Sequence, residues 1–231
     1  MKIIYEIDAD AEEFVLENHW DVAVPISFEQ YGDTLYVTVY PKAEALAKKH
    51  FEIYAEDDPF SEEALADIWR RFAPLFEKWG YHDEKFRDRF GYIMRLPEGA
   101  LREDKILPDT RKLTAKDDKI NETTYDLSCS EEFGMHAFGT VRDGKVVSAS
   151  VTNTPVGEEP MLIEVGVETV PKMRQKGLGS SNLAALCKHL LSKGHNVEYR
   201  FMKHNVASFY NARSVGFEVV GRFYDYVGRR N

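Results

Sequence analysis

Apolar and polar residues in the first half of the chain alternate in a pattern that predicts strands followed by helices. Every second side chain from 34 to 40 is aliphatic, which is the period of a half-buried strand, and 22–26 is its expected partner. Pro41 ends this strand because it cannot donate a main-chain hydrogen bond. A helix is then expected from 43 to 54.

A longer helix is predicted between Ser61 and Gly80. Ser61 offers a capping oxygen, and Glu62 and Glu63 place acids in the first turn, where the helix dipole favours them. Gly80 is a typical helix end, and Pro74 is expected to kink the helix. We interpret the aromatic apolar face as core rather than as a ligand groove. That face comprises Leu65, Ile68, Trp69, Phe72, Phe76 and Trp79.

The second half repeats a strand and helix rhythm with clear turn signals. Asp143-Gly144 is typical of a two-residue hairpin turn, and Pro97–Asp109 is rich in loop residues. The predicted strands and helices cover 135–141, 145–153, 161–169, 177–193 (helix), 196–202, 205–215 (helix) and 217–226. This order predicts an α+β fold, with a mixed sheet flanked by helices over 110–231 and an additional N-terminal α/β domain over 1–109.

Charge and composition narrow the functional classes. The net charge is −9, and residues 1–110 carry 25 acids against 13 bases, whereas 111–231 carry 14 against 17. The acidic first half argues against nucleic-acid binding, which requires a basic face, and the mildly basic second half suits a phosphorylated small molecule. No apolar run reaches the roughly 18 residues of a membrane span, and no secretion signal is visible, so we expect a cytoplasmic protein. Neither the two cysteines nor the histidines have metal-ligand spacing, so no metal is expected.

The segment Arg174–Gly179 carries the clearest chemical signal. It reads Arg-Gln-Lys-Gly-Leu-Gly between a predicted strand and a predicted helix, and its glycines let a ligand approach the backbone closely. Amides at a helix N-terminus favour an anion, and Arg174 and Lys176 add positive charge. The segment suits a pyrophosphate, and it equally suits a tight turn with no ligand. The absence of Gly-Lys-Ser/Thr after the turn argues against a nucleotide-binding P-loop.

These residues resemble the signature of the GNAT superfamily of acyl-CoA-dependent N-acetyltransferases, R/Q-x-x-G-x-G/A directly after a strand. Arg174, Gly177 and Gly179 match this signature. The strand 164–169 leading to Pro171 is similar to a branch of the family with a G-V-x-T-x-P lead-in. A second motif, N-x-x-A/S followed by G-F, is matched by Asn205, Ser208, Gly216 and Phe217.

The resemblance covers about residues 110–231 and implies an acetyl-CoA site. The pantetheine arm is expected to pair with strand backbone near Val165, Val167 and Thr169, where the strand splays from its neighbour. Asn205 is expected to contact the cofactor arm, to cap its own helix, or to do both. The pyrophosphate is expected on the turn, which comprises Arg174, Gln175, Lys176, Gly177, Leu178, Gly179 and Ser180.

The resemblance also implies direct attack by an acceptor amine on the thioester, in a ternary complex. The amine must first lose a proton, and a carboxylate acting through water is the usual base of the family. Glu164 and Glu168 are the candidates, and Glu164 is favoured. They share one face of a regular strand unless a bulge separates them.

The proton donor to the leaving thiolate is left open. Many family members use a tyrosine at the position that holds Ala212 in this sequence, and Tyr210 is expected to point elsewhere on its helix. The remaining candidates are Tyr199, Tyr224 and water.

The acceptor is also open between a small-molecule amine and an amino group on a protein. The acidic first half suits a cationic acceptor, solubility or a homodimer surface. No second R/Q-x-x-G-x-G motif precedes residue 174, which argues against tandem active domains. The alternative to an enzyme is a non-catalytic acyl-CoA-binding or regulatory module, which Ala212 favours.

Overall fold

A computed structural model describes residues 1–19, 21–54, 56–82, 89–128 and 132–230, so Cys129 lies outside the described residues. The chain forms two compact units. The first comprises Met1–Tyr92, Met202–His204 and Val220–Asn231, and the second comprises Ile93–Phe201 and Asn205–Val219. Across the described ranges, no helix combines the length and the apolar character needed to cross a bilayer.

The first unit contains strands that pair side by side in a sheet and, within its described residues, three α-helices. Strand β1 (Lys2–Ile7) is parallel to β3 (Thr34–Val39), and β2 (Val22–Tyr31) is antiparallel to β3 and to β11 (Glu218–Arg230). A short strand, β4 (Tyr81–His82), also pairs with β11. The helices are α1 (Ala9–Glu17), α2 (Glu44–Ile53) and α3 (Glu62–Trp79).

Helix α3 forms as its sequence predicts. The Ala64 amide donates to the Ser61 hydroxyl over 3.2 Å, and Gly80 ends the helix with a φ of 80°. The interpretation of its aromatic face as core is confirmed for its centre, because Ile68, Phe72 and Phe76 are fully buried. At the edge of this face, Leu65 and Trp69 also line an open cavity of about 700 Å³.

The second unit contains the predicted mixed sheet. Strands β6 (Thr110–Leu113), β7 (Ala137–Arg142), β8 (Lys145–Thr152) and β9 (Leu162–Thr169) are antiparallel in sequence order. Strand β10 (Asn196–Met202) is parallel to β9. Helix α4 (Leu178–Leu191) packs on β7, β8 and β9 and contacts α5 (Val206–Val215). The α+β class, with a mixed sheet flanked by helices, is confirmed.

The predicted boundary at 109/110 falls inside the second unit. The chain enters this unit within β5 (Phe90–Arg95), and the loop that follows is tied to it by hydrogen bonds. The Arg102 amide donates to the Val215 carbonyl over 2.9 Å, and the Leu107 amide donates to the Ser181 hydroxyl over 2.8 Å. These contacts anchor a segment whose loop composition predicts a domain boundary. The C-terminal strand β11, predicted with the second domain, pairs with β2 in the first unit.

A histidine pair joins α4 to the segment that leads into β7. His189 Nε2 and His136 Nδ1 are 3.1 Å apart. Burial, followed by the nearby His189, lowers the pKa of His136 to about 4, and burial also lowers the pKa of His189. Both imidazoles are therefore neutral in the folded protein at pH 7.

We predict that this pair makes the protein less stable as the pH falls below about 6.5. In that range the unfolded chain binds a proton at His136 that the folded chain does not bind until about pH 4, so protonation favours unfolding. Between pH 7 and pH 5, the melting temperature of His136→Gln should fall by less than that of the wild type. Equal losses in the two proteins would contradict the prediction.

Candidate functional site

The turn between β9 and α4 presents unpaired main-chain amides to solvent. Gln175 and Gly177 have φ values of 62° and 76°, both in the left-handed region. Gly177 is the N-cap of α4 and has no side chain with which to cap it. The Ser181 amide donates to the Gly177 carbonyl over 3.0 Å, so the amides of 178–180 have no acceptor inside the helix. Residues 174–177 are exposed.

This turn has the geometry and the charge of an anion site. A left-handed residue followed by helical residues turns successive N–H groups toward one concave point, and the dipole of α4 adds partial positive charge there. A Cβ added at Gly177 would meet no atom within 4 Å, so the space beside this residue of the turn is open. Arg174 is exposed and donates from Nε to the Thr169 carbonyl over 3.1 Å, which holds its guanidinium beside the turn.

Strand β9 loses its partner β10 before it reaches this turn. In the parallel register, Leu162 lies opposite Asn196 and Val165 lies opposite Tyr199. No pair beyond Val165 is found within the described residues. The carbonyls of Glu164, Gly166 and Glu168 accept hydrogen bonds from β8 or from the residue after it. Because peptide groups alternate in direction along a strand, those of Val167 point to the edge that β10 has left.

Three residues of β9 were predicted to pair with a ligand, and only Val167 has both its main-chain N–H and its C=O available. The peptide of Val165 is the last in register with β10, and the carbonyl of Thr169 already accepts from Arg174. The N–H and C=O of Val167 remain available, next to the amides of the turn.

A buried polar network beneath α4 fixes the helix on the sheet. Thr140 Oγ1 donates to Asn182 Oδ1, and Asn182 Nδ2 donates to Ser148 Oγ, each over 2.9 Å. Ser148 Oγ lies 2.8 Å from Thr169 Oγ1 at the end of β9. The sequence signal for this network was Ser181-Asn182, two polar residues on the buried side of an apolar helix, both completely inaccessible to solvent.

Gly179 allows the first turn of α4 to approach both β9 and α5. A Cβ at this position would lie 3.3 Å from Thr169 Oγ1, 3.5 Å from Asn211 Oδ1 and 3.6 Å from Val167 Cγ2. The side chains of Val167 and Thr169 therefore face α4, and the intervening residues of β9 face the opposite side of the sheet.

The two predicted acids share that opposite side. The β8–β9 register is continuous from the pair of Ser148 and Thr169 to the pair of Thr152 and Val165. No bulge therefore separates the two acids. Glu168 Oε2 accepts from the amide and the hydroxyl of Thr124, over 2.8 and 2.6 Å. Glu164 Oε1 accepts from Asn153 Nδ2 over 2.9 Å. Glu168 thus anchors a loop, whereas Glu164 lies beside the end of the β10 pairing.

A third carboxylate, not singled out from the sequence, lies next to Glu164. Glu198 is its register partner on β10 and is only 2% exposed. Its two oxygens accept from Arg95 Nε over 3.0 Å and Arg200 Nε over 2.8 Å. Arg200 Nε also lies 3.6 Å from Glu164 Oε2. The guanidinium therefore links the two carboxylates.

The comparisons with known proteins bear on the fold. No protein-family model and no curated protein matches the sequence. A structure from Novosphingobium aromaticivorans, assigned to the GNAT family of acetyltransferases, is similar with a TM-score of 0.50 and 18% identity, over 62% of this chain and 66% of that one. This chain has the GNAT fold. A GNAT-family acetyltransferase from Colwellia psychrerythraea has a TM-score of 0.47 and 16% identity, over 61% and 55% of the chains. This chain thus spans less than two thirds of either structure.

The structure also places the tyrosines considered as proton donors in the sequence analysis. Ala212 is fully buried, and Tyr210 is 64% exposed and points away, as predicted. Tyr199 is buried, which raises its pKa, although a hydrogen bond to the Ser208 hydroxyl opposes the shift. Tyr224 belongs to the core of the first unit, where its hydroxyl accepts from Trp69 Nε1.

Asn205, the key residue of the second motif, caps α5. Its Oδ1 accepts from the Ser208 amide over 3.2 Å. The capping role that the sequence predicted is therefore present. Its role toward a cofactor stays a prediction.

We predict that Asn182→Ala lowers the free energy of unfolding by about 1–3 kcal/mol, because the hydroxyls of Thr140 and Ser148 lose their buried partner. Urea denaturation measures this change. The control is Asn196→Ala at an exposed position of the same unit, which should stay within about 0.5 kcal/mol of the wild type. Equal effects of the two substitutions would show that the network contributes nothing specific.

Proposed function

We propose that the second unit binds acetyl-CoA along the open edge of β9 and the turn Arg174–Ser180, and transfers its acetyl group to an amine. The observation that carries this proposal is the continuity of one backbone surface. The free peptide groups of Val167 adjoin the unpaired amides of 178–180, which are themselves flanked by two exposed cations. The GNAT fold supports the same assignment.

Each part of the surface fits one part of the ligand. A pantetheine arm contains amides, and a strand edge recognises an amide by pairing one N–H and one C=O with it. Val167 offers that pair of groups. A pyrophosphate suits the amides at the start of α4, and Gly177 leaves the space it needs. Arg174 and Lys176 neutralise its charge.

The acceptor we propose is a small-molecule or protein amine that attacks the thioester carbonyl directly. Because an ammonium is not nucleophilic, the amine must give up a proton, and Glu164 is the base we assign to this step, through water. Glu164 lies on the face of β9 away from α4, so the amine and the cofactor would approach from opposite sides. Arg200 and Asn153 hold its carboxylate in place.

A second candidate function is acyl-CoA binding without turnover. The buried Ala212 at the tyrosine position favours it, because a binding module needs no proton donor. Release of free CoA thiol with a panel of amines separates the two functions. Binding of acetyl-CoA without release on any amine would support the module.

We predict that Gly177→Glu abolishes acetyl-CoA binding, because a carboxylate would fill the open space before the amides and repel the pyrophosphate. Gly144→Glu is the matched control, since this turn glycine has a φ of 74° and is equally open. Calorimetric titration should show no binding to the first variant and wild-type affinity for the second. Unchanged affinity in Gly177→Glu would refute the placement of the pyrophosphate.

We also predict that Glu164→Gln lowers kcat by about 10²-fold or more while acetyl-CoA affinity stays within about threefold, because only the base is removed. Glu158→Gln, at an exposed acid in the loop before β9, is the control and should keep wild-type kcat. Steady-state assays on an accepted amine provide the test. A wild-type kcat in Glu164→Gln would exclude this residue as the base.

A further inference from the structure

Tyr125 places a phenol hydroxyl over Gly166, next to the point where β9 loses its partner. A Cβ added at Gly166 would lie 2.6 Å from Tyr125 Oη, so the hydroxyl occupies the volume that a side chain would fill. The amide group of Asn153 borders the same point, at 3.3 and 3.5 Å. Gly166 lies between Glu164 and Glu168 on their shared face of β9. The phenol is therefore one residue from the open peptide groups of Val167.

The loop that carries Tyr125 is fixed on both sides of this residue. Asn121 Nδ2 donates to the Tyr125 carbonyl over 2.6 Å, and the preceding residue, Thr124, donates twice to Glu168. The ring packs against a buried apolar cluster that includes Leu127. The phenol is thus held in position by contacts that do not use its hydroxyl, for which the described residues provide no hydrogen-bond partner.

The electrostatic surroundings keep this phenol protonated. Burial, followed by the nearby Tyr199 and Glu168, raises the pKa of Tyr125 above its usual value. Tyr199, which contributes to this rise in pKa, is the last β10 residue in register with β9. The Tyr125 hydroxyl therefore carries its proton at neutral pH.

We propose that the Tyr125 hydroxyl is the proton donor to the leaving thiolate. Many members of the resembled family use a tyrosine for this step, at the position that Ala212 occupies in this chain. This assignment rests on the proposed function. The geometry favours Tyr125 over the other phenols of the unit, because Tyr199 is 3% exposed and hydrogen bonds to Ser208, and Tyr210 points to solvent.

The step balances with the groups present. The acceptor nitrogen forms a bond to the carbonyl carbon, the carbon–sulfur bond breaks, and its electron pair remains on sulfur. The Tyr125 proton passes to that sulfur and yields the free thiol. The phenolate regains, through water, the proton that the nitrogen has released to Glu164.

Tyr125→Phe tests the assignment, because it keeps the ring and removes the proton. We expect kcat to fall by about 10²-fold, with the amine KM and the acetyl-CoA Kd within about threefold of the wild type. Tyr210→Phe on α5 is the control and should have wild-type kinetics. A kcat within twofold of the wild type would overturn the assignment. So would a rise in amine KM at unchanged kcat, because the hydroxyl would then position the acceptor.

A second variant tests the close approach itself. Gly166→Ala should displace the hydroxyl and lower kcat to a similar degree, and the double variant Gly166→Ala/Tyr125→Phe should be no slower than either single variant. Multiplicative losses would overturn the proposal, because they would show independent effects. Wild-type protein that binds acetyl-CoA but releases no thiol would instead refute the proposed function, so the two failures are distinguishable.

Discussion

Main-chain N–H and C=O groups inside a protein need hydrogen-bond partners. In the second unit, the groups of Val167 and the amides of 178–180 have none within the described residues. Strand β9 lies inside the sheet, yet β10 pairs with it for only four residues, Leu162 to Val165. A strand edge inside a sheet is normally paired, because unpaired peptide groups lose free energy when they are shielded from water. The open groups of Val167 and the amides at the start of α4 therefore form one surface that a ligand with alternating donors and acceptors can complete.

The rest of the unit keeps that surface open. The Asn182 network holds α4 against β7 and β8, and Gly179 lets the helix start close to β9. On the other side of the sheet, Arg95 and Arg200 neutralise the buried Glu198. Two carboxylates can therefore lie side by side on adjacent strands. In the function we propose, binding and chemistry are thereby separated onto opposite faces of β9.

The sequence predicted the second unit well because its signals are local. Hydrophobic period, the Asp143-Gly144 turn and the glycines of the turn after β9 each determine structure within a few residues, and the structure contains the corresponding elements. The sequence analysis did not predict β1, α1, β5 or β6. Strand β1 is parallel to a strand about 30 residues away, and β6 is too short to show a hydrophobic period. The loop composition of residues 97–109 predicts a domain boundary, because backbone hydrogen bonds leave no mark in composition.

The candidate site was predictable to the same extent. The turn residues follow from a motif, whereas Glu198 and Tyr125 reach the site through pairing and loop closure that no spacing encodes. The one sequence signal for Tyr125 was Gly166, since a glycine inside a strand often marks close approach by another group. Glu168, the other base candidate, also holds the Thr124 loop, which no sequence spacing indicates.

The central claim is that the open edge of β9 and the turn form a single binding surface. Amide hydrogen–deuterium exchange with and without acetyl-CoA tests it most directly. We predict that the ligand slows exchange in peptides that contain Val167 and in those that contain 175–180, and in both to a similar extent. Protection of only one of the two segments, or of neither while binding is saturated, would contradict it.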